Sequence, residues 1–466
     1  MAGFSKVMKK TFLICYNLLL VKIFHLPNRK KVKVEKNRKG KDRIKPMRKA
    51  AAGFILVLNF FFLFAGCSKG PVNLSEQSLE ERARSIHKKT VTVDTHCDTA
   101  MMLLRGNWNP AERHDPALPN SGKIDLPRMR EGGLEAEFFA AFVAQGPRDE
   151  EGYARAKRRA EELIRAVKKM VQDNSQLIGL ALTPEDAYRL KKQGKLSAFL
   201  GIENGYAIGQ DVRLIKYFHE LGARYITLCH TADNDICDSS TDANEPEDRG
   251  LSEFGKKVVL ECNRVGMIID ISHASDKTFY DVLSLSKAPI IASHSCVRAV
   301  CDNPRNLTDD QIKALARRKG VIQICFLSNY IKAPRPDPER DKALAEFRAK
   351  YGRWRNLQDE VQRQKIMEEF QEINRKYPAD LATVRNLVDH IDHVVKLVGV
   401  DYVGIGTDFD GGGGVVGCNN VSEMFRVTAE LLRRGYSEKS IEKIWGKNFF
   451  RVFNEVNRTA RKLGQS

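Results

Sequence analysis

The chain runs to 466 residues, room for one large domain or two ordinary ones, and its 42% hydrophobic and 29% charged content is that of a globular protein able to bury a sizeable core. The formal net charge of +18 invites a nucleic-acid partner, but the first 49 residues carry +14 of it and residues 50–466 only +4. The body of the chain is close to neutral, which removes the electrostatic support that nucleic-acid binding needs.

In chain order the first element is a leader. From Met47 the sequence reads MRKAAAGFILVLNFFFLFAGCSKG, a short basic region followed by seventeen uncharged, mostly apolar residues and then Cys67. This is the layout of a secretion signal. Cys67, directly after Ala65 and Gly66, resembles the lipid-accepting cysteine of a bacterial lipoprotein, although Phe64 stands where that pattern usually has Leu. A plain membrane anchor is the alternative, since the run is marginally long enough to span. Residues 1–46 lie upstream of a complete signal that has its own Met, so Met47 reads as the true start, 47–66 as the signal and 67–84 as a tether leading into a short helix. The expected location is the bacterial cell envelope, anchored by lipid and facing the periplasm or the exterior. Export permits disulfides, but the eight cysteines beyond Cys15 and Cys67 are scattered without CxxC spacing and read as buried thiols, Cys296 and Cys301 being only the closest pair.

Compact β-rich runs then alternate with amphipathic helical stretches over residues 85–458, leaving 459–466 as a tail. The expected strands are VTVDTH from 91, EAEFFAAFVA from 135, LSAFLGIE from 196, RYITLCH from 224, GMIIDISH from 266, APIIASH from 288, GVIQICFL from 320 and DYVGIGTDFD from 401. Helical patterns such as ARAKRRAEELIRAVKKMV lie between them. Eight buried-looking strands alternating with helices predict a (β/α)8 TIM-like barrel rather than a doubly wound sheet. Residues 332–380 are highly charged with weak helical periodicity and read as a solvated helical insertion before the last strand; the heptad pattern of a partner-binding coiled coil is not sustained.

Metal-competent residues stand at the carboxyl ends of these strands: His96 and Asp98, Glu203, His230, His273, His294 and Asp408. In a parallel barrel those ends converge on one mouth, so residues more than three hundred positions apart can share a site. Any one of them is a weak signal, since a lone His is more often structural. Four of the ten histidines fall on this rim, whereas His25 is in the leader and His87, His114, His219, His390 and His393 lie in helical or loop contexts. Three His or carboxylate ligands per ion, with one carboxylate shared, can hold two divalent metals and activate a water between them. Imidazole and carboxylate suit zinc, and manganese or cobalt could take the same ligands. The chemistry is that of a hydrolase. Cys97, between two rim residues, is expected to face the barrel wall because strand side chains alternate.

The strings VTVDTHCDT, IDLPRMREGG, GIENG, RYITLCHT, IDISHAS, ASHSCVRAVCDNPRNL, GIGTDFDG and GKNFFRVF resemble the membrane (renal) dipeptidases, amidohydrolase-fold enzymes with two zinc ions. The resemblance implies that His96 and Asp98 bind one Zn2+, that His273 and His294 bind the other, and that Glu203 bridges them. It implies that His230 polarises the scissile carbonyl, that Arg305 contacts the substrate carboxylate, and that Asp408 moves a proton from the bridging water, as hydroxide forms, to the leaving amine. Asp410 matches the second Asp of the motif and reads as structural. The expected activity is a zinc dipeptidase hydrolysing the peptide bond of dipeptides through a metal-bridging hydroxide, tolerant of a D-residue at the C-terminal position. The expected partners are dipeptides and the membrane, with no nucleic acid and with a homodimer allowed. The rivals are a related amidohydrolase acting on lactones or other amides, and a lipoprotein that binds peptides without cleaving them; the second has no use for an activated water.

Overall fold

The computed structural model describes residues 75–464 apart from 119, 243–246 and 353–359. The leader, the signal and Cys67 lie outside the described residues. Among those described, nine parallel strands run β1 (Val93–Cys97), β2 (Ala136–Phe142), β3 (Ile178–Leu180), β4 (Leu196–Glu203), β5 (Ala223–Thr227), β6 (Ile268–Asp270), β7 (Ile291–Ser295), β8 (Val321–Ile324) and β9 (Val403–Ile405). Eight of them form the order β1-β2-β4-β5-β6-β7-β8-β9. The ring closes where Cys97 pairs with Phe409: Asp98 N donates to Phe409 O at 2.8 Å and Asp408 N to His96 O at 3.0 Å. The fold is the expected (β/α)8 TIM-like barrel. The strand not expected is β3, which pairs with Leu196–Ala198 at the start of β4, while β5 takes the rest of that edge from Leu200 onward.

The eight ring strands are almost wholly buried and mostly rich in apolar residues, because they face the barrel lumen on one side and the helices on the other. Phe138, Phe199, Tyr225, Ile268, Ile291 and Val321 cluster with Phe449, Phe450 and Phe453 of the helix Asn448–Leu463. Phe138 and Phe199 stack at 4.5 Å, and Phe449 meets Phe138 edge-on at 5.1 Å. Full burial of each such side chain contributes roughly 1.5–3 kcal/mol, so the end of the barrel opposite the rim is a packed floor.

Several of the outer helices start on side-chain caps that satisfy free N–H groups. Asp149 caps Glu150–Asp173, and Thr183, Thr308 and Thr383 each form a capping box. The helix Glu76–Lys89 buries Leu79, Ala83, Ile86 and His87 against the barrel unit. His87 Nε2 lies 2.7 Å from Thr428 Oγ1 and its Nδ1 3.0 Å from Gly132 O, a structural role in which burial lowers the imidazole to about 4. His393 pairs with Asp309 at 2.7 Å, and His390 bonds Ile331 O and Val297 N.

The insertion before β9 contains two helices, Pro338–Tyr351 and Glu360–Lys376, with a small cluster of their own: Phe347 and Ile366, flanked by Tyr351, Met367, Phe370 and Ile373. Its two ends meet at Asp380, which accepts from Lys332 Nζ at 2.6 Å and Arg335 N at 3.1 Å. The eight cysteines from Cys97 to Cys418 are free and buried. No helix among the described residues is long and apolar enough to cross a membrane.

Candidate active site

The rim gathers every strand-end residue singled out above. Glu203 ends β4, and its Oε1 lies 3.2 Å from His273 Nε2, 3.5 Å from His294 Nε2 and 3.8 Å from His230 Nε2, while its Oε2 lies 3.5 Å from His96 Nε2. Possible ligand atoms fall into three groups, each within 4.8 Å: His96, Glu203 and His294; Glu203, His230 and His273; and His96, Asp98 and Asp408. Geometry alone thus leaves His230 among the ligand candidates, although its side chain is 22% exposed where those of His96, His273 and His294 are nearly closed off. The ring of Phe142, at the end of β2, meets His230 edge-on at 4.8 Å.

The backbone at these strand ends is held in a region that side chains usually avoid. His273 and Asp408 have φ of 72° and 60°, and the neighbouring rim residues Asn204 and Asp410 have 79° and 65°. Such conformations persist where the surroundings over-determine them. At Asp408 the constraint comes from both sides: Gly413 N donates to its carbonyl at 2.7 Å, and the preceding Thr407 is tied to Asp94 on β1 through N at 2.8 Å and Oγ1 at 2.5 Å. A β-carbon at Gly411 would collide with Asp98 Oδ2 and Asp408 Oδ1, so a side chain there would have to displace both carboxylates. Asp410 accepts from Thr99 Oγ1 at 2.6 Å and Lys123 N at 2.8 Å. The Cys97 thiol is buried, with Glu137 and Thr99 as neighbours.

Electrostatically the cluster is unbalanced as a bare set of side chains. Burial and then repulsion from Glu203 push the Asp98 carboxyl well above its ordinary value. Burial, against the pull of His96, raises Asp408 to about 7. Burial would lower His96, but the Glu203 carboxylate prevails and holds it at about 10. Burial drives His273 and His294 well down. His96 Nε2, Asp98 Oδ1 and His273 Nδ1 are buried without a hydrogen-bond partner. A buried polar atom left unpaired is costly; divalent cations beside Glu203 would give His96 Nε2 and Asp98 Oδ1 a partner and neutralise the carboxylates. The residues fit a metal centre.

Beside the cluster, Arg305 is 3% exposed. Its Nη2 donates to His294 O at 3.2 Å, its guanidinium lies 5.2 Å from the Tyr330 ring centre, and its Nε has no partner. The surrounding support was not singled out in the sequence. Tyr225 OH lies 2.8 Å from His96 Nδ1 from the far side of the barrel, and Cys325 Sγ lies 3.9 Å from Asp408 Oδ2. Asp94 and Asp270 are fully buried carboxylates within strands. The signal available for those two was a charged residue inside an apolar run, two or three positions before a rim histidine.

A parallel barrel with imidazoles and carboxylates gathered at its C-terminal rim defines a metal-dependent hydrolase. The comparisons give the family. Residues 80–466 match the model of the membrane dipeptidases, peptidase family M19, and the chain belongs to that family. Among similar proteins, dipeptidase ataJ of Aspergillus terreus is 28% identical over 414 residues, 83% of this chain and 90% of that one. Dipeptidase tcpJ of Claviceps purpurea is 32% identical over 355 residues, 75% and 73% of the two chains. The crystal structure of the probable dipeptidase PvdM from Pseudomonas aeruginosa superposes with a TM-score of 0.70 at 31% identity, covering 82% of this chain and all of that one. The protein is a metallo-dipeptidase, a hydrolase acting on the peptide bonds of dipeptides.

Proposed function

We propose that the protein is a two-zinc dipeptidase in which His96 and Asp98 hold one ion, His273 and His294 hold the other, and Glu203 is shared. The observation that carries this reading is Glu203 itself, whose two oxygens face His96 on one side and His273 and His294 on the other. The donor set of imidazole and carboxylate suits zinc. Held there, the ions would supply Lewis acidity and lower the pKa of a bound water toward neutrality.

The chain's own residues do the rest. Arg305 offers a planar fork of donors to the substrate's terminal carboxylate, which seats the scissile bond over the cluster. His230, outside the ligand set, donates from Nε2 to the carbonyl oxygen and stabilises the charge that develops there. Asp408 takes the proton released at the attacking oxygen and returns it to the leaving amine. Tolerance of a D-residue at the C-terminal position is part of the same proposal. The signal-like stretch before Cys67 supports a lipid anchor in a bacterial envelope.

Arg305 also supplies the test against a wider amidohydrolase activity. An amidated dipeptide cannot pair with the guanidinium and leaves a buried charge unmatched, at about 2–5 kcal/mol. The wild type should discriminate strongly against the amide, and Arg305→Ala should weaken cleavage of the free acid while narrowing the ratio of the two kcat/KM values. An unchanged ratio in Arg305→Ala would remove Arg305 from carboxylate recognition, and efficient cleavage of the amide by wild type would favour the wider activity.

A further inference from the structure

The Asp270 carboxylate, at the end of β6, is outside the cluster and fully buried. It accepts four hydrogen bonds: Ser272 N at 3.0 Å and Ser293 N at 2.8 Å on Oδ1, Thr227 Oγ1 at 2.5 Å and Ser293 Oγ at 2.6 Å on Oδ2. Four is the full acceptor capacity of an ionised carboxylate. Ser293 Oγ in turn lies 2.8 Å from His294 Nδ1.

A serine hydroxyl has one hydrogen. With that hydrogen given to Asp270, the oxygen has only lone pairs to offer His294, so Nδ1 carries a proton, and in the neutral ring Nε2 is bare. The other neighbour, Ser272 Oγ at 3.4 Å, is too distant to compete with a carboxylate at 2.6 Å. Ser272 Oγ is engaged on the same residue, accepting from His294 N at 3.0 Å. Which imidazole nitrogen is free for a metal is set by the bond the other one makes. His294 Nε2 is the nitrogen that faces Glu203.

We propose that Asp270 is a positioning residue acting through Ser293: the relay holds His294 in the Nδ1–H form and keeps Nε2 open to a divalent cation. The inference rests on the reading of His294 as a metal ligand.

The test is Zn2+ affinity of the full chain, by competition with a chromogenic chelator, in wild type, Ser293→Ala, Asp270→Asn and the double variant. Ser293→Ala removes the acceptor on Nδ1 and should weaken binding about 10- to 100-fold. Asp270→Asn reverses the relay: its NH2 group donates to Ser293 Oγ, the hydroxyl hydrogen turns to His294 Nδ1, and the ring proton moves to Nε2. It should therefore bind Zn2+ more weakly than Ser293→Ala, and adding Ser293→Ala to it should restore the affinity of Ser293→Ala alone. Additive losses, or wild-type affinity in Ser293→Ala, would overturn the relay. Should Asp270→Asn fail to fold, the nitrogen shifts of labelled histidine in the metal-free wild type decide instead: an Nδ1–H signal for His294 supports the relay and an Nε2–H signal overturns it. A wild type that binds no Zn2+ would overturn the ligand reading and the relay together, whereas loss of the relay alone leaves wild-type binding intact.

Discussion

Glu203 is the residue on which the proposed site turns, because its two oxygens face imidazoles from β1, from β7 and from the loop after β6. Replacing it by Gln keeps its size and removes the charge that two cations would share. Glu203→Gln should lose bound metal and turnover together, checked by elemental analysis beside a dipeptide assay; full metal content with normal turnover would end its role as the bridge. His230 should behave oppositely. As a donor needed mainly in the transition state, its loss typically costs about 100- to 1,000-fold in rate, so His230→Ala should keep its metal while kcat collapses. Metal loss in that variant would make His230 a ligand, which the 3.8 Å separation from Glu203 leaves geometrically open. The rim residues were legible because each is a polar side chain at the end of an apolar run. Their support was not. Tyr225 reads as one more strand aromatic until the barrel closes and its hydroxyl reaches His96, and the left-handed backbone at His273 and Asp408 leaves no mark on residue type.

At the scale of elements, strands that face both lumen and helices are dominated by apolar residues, which is why eight of them could be read directly. Ile178–Leu180 escaped because three residues pairing with only the start of β4 carry no periodicity. The helical insertion was legible for the opposite reason, since its charge leaves little to bury. Its apolar cluster is its own, and Lys332 and Asp380 bring its ends together at 2.6 Å, so the closure entropy saved by the whole segment is small. Replacing residues 338–376 by a short Gly-Ser linker should leave a cooperatively folding barrel, with Tm within about 4 °C of the parent and metal content unchanged. Calorimetry and elemental analysis would check this; a broad, non-cooperative melt would show that the insertion is part of the barrel's stability.

Across the whole molecule the two ends of the barrel divide the work. The floor of phenylalanines around Phe138, Phe199 and Phe449 supplies packing, and the opposite rim carries polar groups that packing alone would exclude. Asp98, Glu203 and Asp408 are buried in one cluster, and keeping all three ionised there requires positive charge among them. The central claim is therefore that this rim is a two-zinc dipeptidase centre, and the most direct measurement is titration of chelator-stripped protein with Zn2+, following bound metal and dipeptide hydrolysis in parallel. The account predicts that activity is absent in the stripped protein, returns with zinc, and reaches its plateau at two ions per chain. Full activity without metal, or a plateau at one ion per chain, would contradict it.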